Sequence, residues 1–229
     1  MSTPTVSVII PTLNERKGLP ETLAALQAHG GYTQCIVVDG GSDDGTPELA
    51  AKLGDQRLLV IDSGRGRGVQ LDTAAQRATG EILLFLHADT LLPKRAIAGV
   101  QQAVAGGAKW GGFRHRFSDS TPGLRCISWL HNVRCRISGV VYGDQAMFCT
   151  KQLYRSLGGF PHTGLEDLAF SDMALQHHPS TLLAEHVTTD SRKFKQLGTL
   201  RAFCHVISII LRYERTKPLR NAAFFQDYR

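Results

Sequence analysis

The sequence predicts an α/β fold in which a mostly parallel sheet is flanked by helices, and three observations predict it. Short apolar runs recur at residues 6–10, 35–38, 57–61 and 82–86, and segments with helical spacing of apolar residues separate them. The links between these segments are short, as the right-handed crossovers of a doubly wound sheet require. The run Ile82-Leu-Leu-Phe-Leu86 is apolar throughout, the mark of a strand covered on both faces.

Val6-Ser-Val-Ile-Ile10 reads as the first strand, closed by Pro11, which cannot donate to a ladder. Leu19, Leu23 and Leu26 then share one face of a helix over 18–28. Residues 35–38 form the second strand, ending in Asp39. The stretch Gly40-Gly-Ser-Asp-Asp-Gly-Thr46 is turn chemistry, with Thr46 as N-cap and Pro47 at the first position of a helix through 53. A third strand over 57–61, a helix over 68–78 and the strand 82–86 complete the alternation, and that last strand stops at His87 and Asp89.

The second half is less regular. A helix over 93–105 turns Leu92, Ile97 and Val100 inward and ends at Gly106-Gly107. Residues 110–117 read as a strand, either facing an acceptor site or lying at an antiparallel edge, and 127–137 as a helix. Residues 143–149 read as a strand with Asp144 and Gln145 at its start, and 151–157 as a helix closed by Gly158-Gly159. The acidic pair Glu166-Asp167 opens a further helix that carries Asp172. Residues 199–213 have a wide apolar stripe (Leu200, Phe203, Val206, Ile207, Ile210, Leu211), which suits packing on the domain, a homodimer contact or an anionic membrane surface. The expected organisation is one catalytic domain over 1–190, in halves 1–105 and 106–190, and a basic helical extension over 191–229.

Composition bounds the function. At 229 residues, 42% hydrophobic and 20% charged, the chain has the make-up of an ordinary globular protein. The stretch 6–10 is too short for a secretory signal and lacks preceding basic residues, and no run reaches the length of a membrane span. The five cysteines form no CxxC pair, which points to free thiols in a reducing cytoplasm, not a disulfide framework or zinc ribbon. The net charge of +6 is regional: over 190–229, nine Lys or Arg stand against three acids. Such a tail suits an acidic partner, whether a phosphate-bearing ligand or the inner face of a membrane. Nucleic acid is not expected, since no helix-turn-helix or interleaved aromatic motif occurs.

Polar residues collect at the strand ends: Thr12, Asn14 and Glu15, then Asp39, then Arg65 and Arg67, then His87 and Asp89. In open α/β sheets ligands bind outside these ends. No GxGxxG follows the first strand and no GxxxxGK[ST] occurs, so neither a dinucleotide fold nor a P-loop is expected. Gly64-Arg-Gly-Arg-Gly68 lets backbone and guanidinium groups approach a phosphate. Asp89, with His87 near it, is a candidate anchor for a divalent ion. Its carboxylate suits Mg²⁺ or Mn²⁺, and an added imidazole tilts the choice to Mn²⁺.

Three motifs then carry a resemblance: Val6-Ser-Val-Ile-Ile-Pro-Thr-Leu-Asn-Glu15, Val37-Val-Asp-Gly-Gly-Ser-Asp-Asp-Gly-Thr46 and Ala78-Thr-Gly-Glu-Ile-Leu-Leu-Phe-Leu-His-Ala-Asp89. In that order they resemble the family 2 glycosyltransferases with the Rossmann-like GT-A fold. The resemblance implies a metal-dependent inverting hexosyltransferase that moves a sugar from a nucleoside-diphosphate sugar, with a UDP-sugar ranked first, to a hydroxyl acceptor that is a small molecule or lipid-linked. It implies that Pro11, Thr12, Glu15 and Asp39 bind base and ribose. It also implies that Asp89 is the metal-binding end of a DxD motif in which His87 replaces the first Asp. Glu166-Asp167 resembles the ED motif, with Asp167 as base and Glu166 positioning the acceptor or the base; Arg192 or Lys193 is expected to close over the diphosphate. The compact length, the His-Ala-Asp variant and the Glu-Asp-Leu helix are similar to a small bacterial group associated with radical-SAM, selenium or arsenosugar pathways. Two alternatives remain open: a sugar-nucleotide nucleotidyltransferase or pyrophosphorylase, and a non-catalytic relative that keeps the nucleotide pocket.

Overall fold

The computed structural model describes residues 3–162 and 165–192. The segment 199–213, Lys193 and Cys204 lie outside the described residues. The elements run β1 (Val6–Thr12), α1 (Leu19–His29), β2 (Gln34–Asp39), α2 (Thr46–Leu53), β3 (Leu58–Asp62), α3 (Arg67–Arg77), β4 (Ile82–Phe85), β5 (Thr90–Leu91), α4 (Ala96–Ala105) and β6 (Trp110–Phe117), followed by α5 (Pro122–Ser138), a 3₁₀ turn (Gly143–Gln145), β7 (Phe148–Thr150), α6 (Lys151–Ser156), α7 (Glu166–Leu175) and β8 (Thr181–Thr189). All eight strands join one sheet in the order β3-β2-β1-β4-β7-β6-β8-β5.

The first half is parallel, as the strand and helix alternation requires: β1 pairs with β2 and β4, and β2 with β3. Beyond β4 the sheet becomes mixed, because β7 runs antiparallel to both β4 and β6. β6 is not an edge strand. It lies between β7 and β8, and it runs parallel to β8 over most of its length. Gly111 belongs to this seam: a Cβ there would stand 1.9 Å from the carbonyl oxygen of Thr181, so the two strands approach where only glycine fits. One sheet therefore spans both halves of the chain.

The two faces of the sheet are covered by separate cores. Val8, Ile10, Val37, Leu84 and Phe148 pack with α1 and α4 on one side. Ile9, Val38, Leu83, Phe85, Trp110 and Cys149 pack with residues of α3, α6 and α7 on the other. All four residues of β4 are buried, as a doubly covered strand demands.

Three sequence expectations are corrected. β1 does not end at Pro11 but continues to Thr12, with Pro11 in register with Val38. The Ile9 carbonyl accepts the Leu86 N–H at 2.9 Å, so the missing N–H of Pro11, two residues on, faces the side where β4 has already ended. Residues 143–149 are not one strand. Gly143–Gln145 is a 3₁₀ turn, held by Gln145 Oε1 accepting the Tyr142 N–H at 3.0 Å, and the strand begins only at Phe148. The helix expected at 127–137 starts five residues earlier, at Pro122.

Candidate active site

The carboxyl ends of β1 to β4 open on one edge, and β1 and β4 mark the point where the strand order reverses. Clefts form at such points because the loops on either side turn apart. Here the cleft is lined by Pro11, Arg67, Leu71, Phe85, Leu86, His87, Gly143, Met147, Phe160, Glu166 and Asp167.

The loops after β1 and β2 are laced together. Asp39 is 2% exposed, and its carboxylate accepts the Thr12 hydroxyl at 2.9 Å, the Ser42 hydroxyl at 2.6 Å, and the Gly41 and Ser42 N–H groups at 2.9 and 2.6 Å. Asn14 adopts a positive φ of 56°, accepts the Asp43 N–H at 3.0 Å and donates its own N–H to Ser42 at 2.8 Å. The Glu15 N–H donates to the Thr46 hydroxyl at 3.1 Å. The Thr46 hydroxyl in turn donates to Asp44, a bond that leads the causes holding the Asp44 carboxyl below its ordinary range. Gln70 of α3 ties the ends of both strands, donating to the carbonyls of Thr12 at 2.8 Å and Val38 at 3.0 Å. Thr12 and Asp39 are thus buried in one hydrogen-bonded lattice that joins the two loops, with Glu15 half-buried beside it.

Arg67, at the start of α3, reaches across to Glu166 at the start of α7, with Nε 3.1 Å from Oε1. Glu166 is 4% exposed, so this pair neutralises a buried carboxylate and leaves the outer part of the guanidinium at the cleft. Arg65 is exposed on the turn before α3. Asp167 is held by two backbone donors, with Oδ2 accepting the Gly143 N–H at 2.8 Å and Oδ1 the Leu168 N–H at 2.9 Å. Two N–H bonds fix the carboxylate plane, and each oxygen keeps a second lone pair.

His87 answers to this cleft and not to the pocket of Asp89. A Cβ on Gly143 would stand 2.7 Å from His87 Nε2 and 2.5 Å from Arg67 Nη2, so the imidazole, the guanidinium and the 3₁₀ turn converge on one point. Asp89 lines a neighbouring pocket with Gly18, Glu21, Thr22, Ser118, Thr188, Asp190 and Arg192. Its carbonyl accepts the Asp190 N–H at 3.1 Å, which brings Arg192 beside it. Glu15 also reaches this side: a Cβ on Gly18 would meet Glu15 Oε2 at 3.5 Å and Asp89 Cβ at 3.6 Å. Among the described residues, no three His, Cys, Asp or Glu side chains converge as a closed metal cage. A pocket that offers carboxylate oxygen from Asp89, with hydroxyls beside it, suits a hard ion that takes its other ligands from phosphate and water.

Several residues escape sequence reasoning. Asp72 of α3 accepts the Tyr154 hydroxyl, the Phe160 N–H at 2.9 Å and His162 Nε2 at 2.7 Å, and so pins the loop leading to Glu166. Asp144 stands beside His131 and His115, at 3.3 and 3.9 Å. Burial opposes ionisation of Asp144, but the imidazoles of His131, His115 and His87 outweigh it and hold the carboxyl well below the usual range. Burial pushes His115 down to about 4, against the pull of Asp144. No local pattern announces these contacts, because their partners lie on other elements.

Comparison with known proteins bears on the family and the fold. The family described as glycosyl transferase family 2 matches residues 7–152. A 4,4'-diaponeurosporenoate glycosyltransferase of Staphylococcus haemolyticus is 32% identical over 110 residues, 45% of this chain and 29% of that protein. A PGL/p-HBAD biosynthesis glycosyltransferase of Mycobacterium bovis is 37% identical over 98 residues, 40% of this chain and 38% of that protein. The matches thus span well under half the length of these relatives. Among solved structures, a mannosyltransferase from Pyrobaculum calidifontis in complex with GDP-Man and Mn²⁺ superposes with a TM-score of 0.66 at 24% identity, covering 82% of this chain and 57% of that one. Glucosyl-3-phosphoglycerate synthase from Mycobacterium tuberculosis, with Mn²⁺, UDP-glucose and phosphoglyceric acid, superposes at 0.64 and 17% identity, covering 87% and 76%. These two share the fold. No helix among the described residues is long and apolar enough to cross a membrane. With the α/β sheet, the laced strand-end loops and a family match over most of its length, the chain belongs to glycosyl transferase family 2.

Proposed function

We propose that the protein is a metal-dependent, inverting glycosyltransferase that moves a sugar from a nucleoside-diphosphate sugar to an acceptor hydroxyl. The observation that carries this reading is the position of Asp167, held by the N–H groups of Gly143 and Leu168 at a cleft shared with Arg67 and His87.

The acceptor oxygen attacks the anomeric carbon and its proton passes to a free lone pair of Asp167. The bond from that carbon to the diphosphate oxygen breaks on the opposite face, and its electron pair leaves with the diphosphate. Inversion follows from this single displacement. A well-placed general base contributes roughly 10²–10⁴-fold. Glu166 holds Arg67, whose outer nitrogens offer charge to the departing phosphate. Arg192, beside Asp89, offers a second cation, and Arg65 a third from the open turn. Pro11, Thr12, Glu15 and Asp39 are assigned to base and ribose, the residues up to 105 to the donor and those of 106–190 to the acceptor. Asp89 would hold a divalent ion, Mn²⁺ or Mg²⁺, which when bound supplies Lewis-acid stabilisation of the diphosphate. The complexes of the two solved relatives, with GDP-Man or UDP-glucose and Mn²⁺, support that choice.

A thermal-shift panel of UDP, GDP, CDP and TDP with and without Mn²⁺ tests the donor side. Ligand at 100 times its dissociation constant stabilises the fold by about 2.7 kcal/mol, so the cognate base stands out. Asp167→Asn is then expected to keep that nucleotide shift and to lose roughly 10²–10⁴-fold in sugar transfer. Retention of near wild-type transfer would remove Asp167 as the base, and no shift with any nucleotide would overturn the nucleotide-sugar reading itself.

A further inference from the structure

Helix α5 is apolar on two opposite faces. Its inner face seats Leu124, Ser128 and Cys135, all buried. With successive residues turned by roughly 100°, Cys126, Trp129, Leu130, Val133 and Ile137 fall on a stripe on the far side. Trp129 is 62% exposed, Leu130 39% and Ile137 81%, and Cys126 is exposed beside them. These three make up most of the large hydrophobic side chains exposed among the described residues, the others being Leu53 and Leu59. A face this apolar on a helix already anchored by its other side points to an occupant.

Charge identifies the occupant. The 17 residues of α5 include Arg125, Arg134 and Arg136 and no Asp or Glu. Arg125 and Arg136 are exposed and border one edge of the stripe. Arg134 borders the other, its guanidinium 3.6 Å over the Tyr142 ring. Arg125 and Trp129 also border a groove between α5 and β6, which holds Arg116 and Asp119 further along it. The chain beyond Arg192 carries eight Lys or Arg against two acids, which makes it a poor partner for this face. A second copy of α5 would set arginine against arginine.

We propose that this face docks on an anionic lipid surface. α5 lies in the plane of the interface, with Trp129, Leu130 and Ile137 entering the boundary between headgroups and acyl chains and Arg125 and Arg136 meeting lipid phosphates. α5 belongs to the acceptor half of the chain, but none of its residues lines the cleft of Asp167.

The test is co-sedimentation of the full chain with vesicles of equal parts phosphatidylglycerol and phosphatidylcholine, and with vesicles of phosphatidylcholine alone. Binding is expected to the first and not the second, and to fall with salt. Trp129→Ser with Ile137→Ser is expected to weaken binding at least about tenfold, since each side chain contributes its transfer free energy. Both positions are exposed, and an unchanged circular-dichroism melt shows that the variant is folded. Trp110 is fully buried, so a blue shift of tryptophan fluorescence on vesicle addition reports Trp129. Absence of binding to the anionic vesicles at low salt would overturn the proposal, as would binding that the double variant leaves undiminished. A dimer in solution that this variant dissociates would assign the face to a second copy instead.

Discussion

Gly143→Ala is the most informative single substitution at the cleft. The backbone there has no positive φ, so what opposes a side chain is space. The added methyl would stand 2.5 Å from Arg67 Nη2 and 2.7 Å from His87 Nε2. Ordinary contact lies near 3.5 Å, so each group must retreat by roughly 1 Å, or the 3₁₀ turn must move instead. Arg67 is tethered to Glu166 at 3.1 Å, and the Gly143 N–H is itself a donor to Asp167 at 2.8 Å. Either response therefore shifts the proposed base or the cation facing it. Overpacking of this size costs about 1–3 kcal/mol, and a misplacement of about 1 Å can cost about 10²-fold in rate. The assay is the initial rate of nucleoside-diphosphate release from the sugar nucleotide that the thermal-shift panel selects, with a melting curve for each protein. A variant with unchanged melting temperature and unchanged rate would refute the convergence of Arg67, His87 and Gly143 on the reacting centre.

Asp72→Ala leaves the Phe160 N–H and the buried Tyr154 hydroxyl without their acceptor, which costs about 1–3 kcal/mol. The melting temperature should fall by several degrees and the rate should fall with it, because the loop before Glu166 loses its anchor; an unchanged melt would contradict the hub. Acid stability follows from His115. Its folded-state value of about 4 lies below the ordinary 6.5, so the unfolded chain binds the extra proton first and stability is lost as pH falls from 6.5 to 4. The loss should reach roughly 2 kcal/mol by pH 5, and His115→Phe should flatten that part of a melting-temperature profile.

Much of the donor side was legible in the chain itself. The apolar runs 6–10, 35–38 and 82–86 became β1, β2 and β4 with shifts of one or two residues, because a doubly covered parallel strand needs continuous apolar residues whatever surrounds it. Asp39 and Asp89 follow directly from where those strands end. β8 went unread because only Val187 of its nine residues is buried, which leaves a weak pattern. Residues 143–149 misled because a 3₁₀ turn followed by a short strand has the composition of one longer strand. Pro11 misled because its effect depends on which neighbour its nitrogen faces, and β4 ends before that point.

The sequence alone thus determined the class of fold, the family and the acidic residues at the strand ends, since these depend on local runs and on motifs of contiguous residues. Only the tertiary structure decided that His87 belongs with Arg67 and Gly143 while Asp89 faces another pocket, that Glu166 holds Arg67, and that the backbone of Gly143 anchors Asp167. Each of these is a contact between elements far apart in the chain. Such contacts depend on register and crossing geometry, which the sheet imposes and no local pattern records.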